Sequence, residues 1–253
     1  MSRFIVWGAG ELGGRVACAL AAEGRAVVGA TATPARHEAL RAAGVTPHLG
    51  PPEPTPDDHL LLALPGSERQ ILAISALAGR SAPARVVLIS STGYYGTPTG
   101  DVREDTPPGD DPHATLVASA EQAFAAWAGE RGVILRTGGL YRPGRGPWPP
   151  SAAGAPPPPA PIAPWPSSTT RTPPPPPRRP GAPSAAARLP QRHAPCPTRE
   201  AFYSAACVIL DLPLPRFERP LRRPLARYDD SRLRADLVPT PAHPRWQEAL
   251  VPG

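Results

Sequence analysis

FIVWGAGELGGRV, running from Phe4 to Val16, places four apolar residues directly before glycines in G-x-G-x-x-G spacing. Phe4 to Trp7 have the branched and aromatic character of a buried strand. After them, Leu12, Val16, Ala19 and Leu20 fall on one face of a helix that begins at Glu11. The glycines answer three separate steric demands of a tight strand-to-helix turn. Gly8 makes the bend, Gly10 lets a pyrophosphate approach the backbone, and Gly13 lets helix and strand pack closely. The first helical amides, at Glu11, Leu12 and Gly13, then face an anion at the positive end of the helix. The stretch reads as the opening of a dinucleotide-binding domain.

Further runs of branched apolar residues follow at 26–30, 59–64, 85–90 and 133–136, each of the form expected of a strand covered on both faces. Helix-length, alanine-rich stretches at 34–43, 67–79 and 114–130 separate them. Alternation of this kind predicts an α/β fold, a doubly wound parallel sheet of Rossmann-like form, with a small and incomplete C-terminal part. The second strand ends in VVGATATPARHE, without an Asp or Glu to grip a ribose 2′-hydroxyl. Thr31, Thr33 and Arg36 stand there instead and suit a 2′-phosphate, so the reading favours NADP slightly over NAD. Ala63, Leu64 and Pro65 end the 59–64 run and are expected to pass beneath the cofactor, with a plain turn at Pro65-Gly66 as the alternative.

The net charge of +6 is unevenly placed. Residues 1–135 carry 10 Arg against 14 Asp and Glu, whereas 136–253 carry 17 against 7, so the basic excess belongs wholly to the second half. The proline-rich tract within that half lacks both Lys and interleaved aromatics, so the expected partner is a small molecule, with no nucleic acid. No apolar run approaches the ~20 residues of a membrane span, and the N-terminus has no leader-like stretch; a cytoplasmic protein without a membrane partner is expected. Cys18, Cys196 and Cys207 form neither a disulfide framework nor a metal-ligand pattern, and no metal is expected.

Four motifs in order, GAGELG, VVLISSTGYYG, EDTPP (Glu104 to Pro108) and VILRTGGLYRPGR (Val133 to Arg145), resemble the extended short-chain dehydrogenase/reductase superfamily, the NAD-dependent epimerase/dehydratase group. The last has Arg142 where the family has glycine. The resemblance covers roughly residues 3–146, and ARYDDSRLRADL with PRWQEAL is similar to the family's C-terminal end. It implies an oxidoreductase or epimerase-like activity on a carbonyl or sugar-nucleotide substrate, in which a hydroxyl at Ser91, beside Thr92, polarises the substrate oxygen. It also implies a Tyr-x-x-x-Lys pair on the next helix. Registered through Glu121, those two positions are His113 and Val117. The whole chain has no Lys, and a tyrosine without an ammonium neighbour titrates near ~10 and is a poor base at neutral pH. Histidine is chemically able to carry the proton, which makes His113 the remaining candidate. A non-catalytic dinucleotide-binding or sensing protein is the competing expectation, and Tyr94 and Tyr95 read as packing residues of the turn.

The sequence divides into a dinucleotide-binding domain over 1–146, a Pro/Ala/Arg-rich tract over 147–197, and a C-terminal helical remnant over 198–253, with helix-like stretches at 198–212, 228–237 and 244–250. Runs such as PPPPP remove backbone donors and fix φ, so polyproline II or disorder is expected of the tract. It is either a genuine insert or the product of a slipped reading frame in a GC-rich gene, since the absence of Lys and Asn points to few AA-starting codons; the latter would leave an inactive product. Limited proteolysis should cut within 147–197 well before it cuts 1–146. Protection of the tract equal to that of the sheet would refute the expectation of disorder.

Overall fold

The computed structural model describes residues 2–141, 167–169, 187–191, 199–209 and 226–236. Its strands are β1 (Phe4–Trp7), β2 (Val27–Thr31), β3 (Thr46–Leu49), β4 (His59–Leu62), β5 (Arg85–Ser91), β6 (Gly100–Val102), β7 (Gly132–Thr137), β8 (Gly139–Tyr141), β9 (Ser167–Thr169), β10 (Ala187–Gln191) and β11 (Ala226–Tyr228). The helices are α1 (Glu11–Ala22), α2 (His37–Ala42), α3 (Ser67–Ala78), α4 (Pro112–Ala128), α5 (Arg199–Ile209) and α6 (Ser231–Asp236). Six strands form a parallel sheet in the order β7-β5-β4-β1-β2-β3, with β10 at the β7 edge.

Side-chain alternation explains why both faces are covered. In β1, Ile5 and Trp7 join Leu60, Leu62, Val86, Leu88 and Ile134 against α3 and α4, through Ile74, Leu77 and Phe124. Val6 points the other way and joins Val16, Leu20, Val27 and Leu40 against α1 and α2. Strands that bury both faces need apolar residues at every position, which is the continuous pattern seen in the sequence.

The expected doubly wound sheet is therefore present, with differences in detail. The β3 strand, TPHL, was not foreseen because it has no branched apolar run and contains Pro47. It lies last in the strand order, where a missing amide donor is tolerated. The helical stretch expected at 34–43 opens as a 3-10 turn, Pro34–Arg36, before α2. Neither β6 nor β11 was foreseen; they pair in parallel with Ala226 opposite Gly100. Of the 147–197 tract, only the short β9 and β10 are described; the rest, with the helix expected at 244–250, lies outside the described residues.

Two compact units divide the chain. The first takes in Met1–Tyr94 and Asp110–Arg136 and so carries most of the sheet; the second takes in Tyr95–Gly109 and the C-terminal elements α5, β11 and α6. In the second unit Phe202 is fully buried, Tyr95 lies edge-on to Tyr228 at 5.8 Å, and the Tyr95 hydroxyl donates to the Arg103 carbonyl at 3.0 Å. Among the described residues, no helix is long and apolar enough to cross a membrane.

At the sheet's N-terminal end one carboxylate joins two strands. The Asp58 carboxylate accepts from the Arg3 backbone amide at 3.2 Å, from Arg3 Nη2 at 2.7 Å and from the Thr55 amide at 2.8 Å. Burial opposes the Asp58 charge, but these donors outweigh it and hold the carboxyl down at about 2. Asp58→Asn should lower the unfolding free energy at neutral pH by ~2 kcal/mol in urea denaturation. Because the native carboxyl ionises below its unfolded value of about 3.9, the stabilisation is complete above that value and is lost as pH falls towards 2. Wild type and variant should converge over that interval, and a gap that survives undiminished at its acid end would contradict the assignment.

Candidate active site

The β1–α1 turn is built by backbone crossings that leave no room for side chains. Gly8 has φ +97, and a Cβ there would lie 2.6 Å from the Ala63 carbonyl oxygen and 3.0 Å from the Leu64 nitrogen. A Cβ on Gly13 would strike the Gly8 carbonyl oxygen and come within 2.9 Å of Val6 Cγ1. Gly10 differs: among the described residues other than its chain neighbours, the nearest atom to its Cβ position is the Gly8 oxygen at 4.0 Å, which leaves open space there. It is the N-cap of α1 and, being glycine, brings no side chain to the first turn at Glu11, Leu12 and Gly13. A close-packed bend, an open middle glycine and a helix N-terminus capped by glycine together form a cradle that fits a pyrophosphate.

At the tip of β2 the expected residues part company. The Thr31 hydroxyl donates to the Thr33 carbonyl at 2.8 Å and also meets His37 Nε2 at 2.8 Å. With its one proton given to Thr33, it accepts from His37, which assigns the ring proton to Nε2. Thr31 is thus committed within the turn, while Thr33 and Arg36 stand exposed. His37 was not foreseen, because nothing in the sequence ties it to Thr31.

After β4, the segment Ala63–Pro65 runs past Gly8, and the Ala63 amide donates to the Trp7 carbonyl at 2.8 Å. A second unforeseen residue fixes it. Gln70, buried in α3, gives both protons of its side-chain amide, one to the Leu64 carbonyl and one to the Ile89 carbonyl, each at 2.9 Å. It thereby locks the ends of β4 and β5 at a set distance. No sequence signal distinguishes such a glutamine from a solvated one.

The end of β5 carries the remaining candidates. Ser91 is half-buried and accepts from the Gly93 amide at 3.0 Å, whereas Thr92 is turned inward and buried. The Asp111 carboxylate caps α4 by accepting from the His113 and Ala114 amides, each at 3.0 Å. His113 is exposed, and its imidazole lies on Gly93: a Cβ there would be 2.6 Å from His113 Nε2 and 3.1 Å from Ser91 Oγ. Ser91 and His113, far apart in sequence, are neighbours across a glycine. Val117, one turn further along α4, is buried.

Behind them sits a buried ion pair. Glu121 and Arg136 are both about fully enclosed, with Arg136 Nη2 2.8 Å from Glu121 Oε2 and Nε 2.9 Å from Oε1. The Ser90 hydroxyl donates to Glu121 Oε1 at 2.6 Å, and the Tyr94 ring lies over the Arg136 guanidinium at 3.5 Å. This confirms Tyr94 as a packing residue and adds a cation–π contact. An arginine inside the buried strand VILRT was a usable signal, since a charge there needs a partner.

No family model and no curated protein sequence matches the chain. Solved structures do match in fold. A conserved protein of unknown function from Silicibacter pomeroyi is 21% identical, with a TM-score of 0.72 over 98% of this chain and 96% of that one. MoeE5 in complex with UDP-glucose and NAD is 18% identical, with a TM-score of 0.71 over 98% and 95%. The UDP-glucuronic acid 4-epimerase of Bacillus cereus, in complex with UDP-glucuronic acid and NAD, is 14% identical, with a TM-score of 0.71 over 98% and 96%.

Removing one member of the buried pair strands the other. Glu121→Ala should destabilise the chain by ~3–5 kcal/mol in chemical denaturation. Replacing both, as Glu121→Leu with Arg136→Met, should recover most of that loss. A double variant no more stable than Glu121→Ala would show that the pair's charges are not the source of the effect.

Proposed function

The chain has the fold of NAD-dependent epimerases and dehydratases of the extended short-chain dehydrogenase/reductase type, and we propose that it is an NAD(P)-dependent oxidoreductase or epimerase-like enzyme acting on the hydroxyl-bearing carbon of a sugar nucleotide or related carbonyl compound. The observation that carries this reading is the cradle at Gly10, open where Gly8 and Gly13 are closed. Pyrophosphate oxygens would be held by the amides of Glu11, Leu12 and Gly13, with Ala63, Leu64 and Pro65 forming the floor. A bound nicotinamide ring supplies a hydride acceptor or donor. Ser91, at the end of β5, is suited to hold the substrate oxygen.

NADP is the preferred cofactor in this reading. Thr33 and Arg36 are exposed at the β2 tip where a 2′-phosphate would lie, and no carboxylate stands at the tip to repel it. The competing reading, a dinucleotide-binding protein without catalysis, draws on the buried Val117 at the position where the family's ammonium is expected.

Gly10→Ala provides a direct test. Among the described residues other than its chain neighbours, the methyl group meets nothing closer than 4.0 Å, so the fold should persist while the phosphate space is filled. Calorimetric titration should show NADP+ and NAD+ binding to the wild type and at least a tenfold weaker affinity in the variant. Arg36→Ala should weaken NADP+ about tenfold and leave NAD+ unchanged. No heat with either nucleotide at millimolar concentration would sink the proposal.

A further inference from the structure

Ser91 at the end of β5 and His113 in the first turn of α4 have hydrogen-bonding capacity that the described residues do not use. Ser91 Oγ accepts from the Gly93 amide, but among the described residues nothing accepts the Ser91 hydroxyl proton. His113 has its backbone amide satisfied by Asp111, yet among the described residues neither ring nitrogen has a hydrogen-bond partner. The two side chains flank the space that a Cβ at residue 93 would fill. Any Cβ there would overlap His113 Nε2 at 2.6 Å and crowd Ser91 Oγ at 3.1 Å. An exposed imidazole and a half-buried hydroxyl thus converge on the space beside Gly93.

We propose that His113 is the proton-transferring residue of this site, with Ser91 donating to the same substrate oxygen and Gly93 required to seat the imidazole. This rests on the oxidoreductase reading above. In the oxidation of a secondary alcohol, the substrate O–H bond breaks and its proton passes to His113 Nε2, giving an imidazolium. The freed oxygen electrons form the C=O bond as the carbinol carbon gives up hydride, with its electron pair, to an oxidised nicotinamide. In the reverse direction the imidazolium returns the proton to the oxygen. An imidazole does this without a neighbouring cation, which fits an α4 face that has valine at position 117 and a chain without lysine.

His113 is exposed, so its replacement leaves the core untouched. The test uses the full chain with NADP+ or NAD+ and, as probes, UDP-glucose and UDP-glucuronic acid. Turnover should fall at least 100-fold in His113→Gln and at least tenfold in Gly93→Ala, with dinucleotide affinity by calorimetry unchanged in both. Added imidazole should restore part of the turnover of His113→Gly and none of that of Ser91→Ala. Carbethoxylation of His113, followed by mass spectrometry, should slow when dinucleotide and probe are present together. Wild-type turnover in His113→Gln, or dinucleotide binding without any turnover by the wild type, would overturn the role of His113 and leave the binding reading intact. Loss of dinucleotide binding in the wild type would instead overturn the reading beneath it.

Discussion

A carboxylate and a guanidinium enclosed behind the sheet end set the geometry of everything in front of them. Glu121 comes from α4, Arg136 from β7, Ser90 from β5 and Tyr94 from the turn that follows β5. Three of those elements also carry a residue of the candidate site: Ser91 follows Ser90, Gly93 precedes Tyr94, and His113 lies two turns before Glu121 on α4. Enclosing an ion pair is costly unless it is fully hydrogen-bonded, and that requirement tolerates little displacement. The pair is thus a weak source of stability but a strong source of register. It fixes β5 and α4 against one another closely enough for an imidazole to rest on a glycine.

The readability of this fold tracks the range of the interactions that make it. The β1–α1 turn was legible to the residue because each glycine answers a local clash, between Gly8 and the end of β4 or between Gly13 and Val6. The buried strands were legible because coverage on both faces demands unbroken apolar runs. β3 escaped because an edge strand is free of that demand and can hold Pro47. Gln70 escaped for a different reason. Its value lies in bridging two carbonyls 19 and 6 residues away, and no pattern in the sequence registers such a bridge. Glu121 was noticed only as a marker of register, although the arginine in VILRT already implied a buried partner.

The absence of lysine shapes the site more than any single substitution. Arginine takes every cationic role here, and in the buried pair its planar fork suits the two carboxylate oxygens. It is a poor replacement for an ammonium that must sit under a ribose and lower a phenol's pKa, because a guanidinium is larger and spreads its charge. A lysine-free chain therefore gains nothing from keeping a tyrosine at position 113. Valine at 117 is buried on α4, and the imidazole proposed for proton transfer needs no cation beside it.

The C-terminal elements raise a separate question, since β11 returns to pair with β6 across a sequence separation of 126 residues. The ion pair there, Arg227 with Asp101 at 2.8 Å, is exposed on both sides and contributes little. Apolar burial decides the pairing instead: Val102, Ala226 and Leu233 are enclosed, and Tyr95 meets Tyr228 edge-on. Closing a loop costs entropy only as the logarithm of its length, about 0.6 kcal/mol for each doubling. The length and composition of the chain between β8 and β11 therefore bear weakly on whether β11 docks. The first unit, with its glycine turn and unbroken apolar strands, is specified by the sequence to a degree that β6 and β11, three residues each, are not.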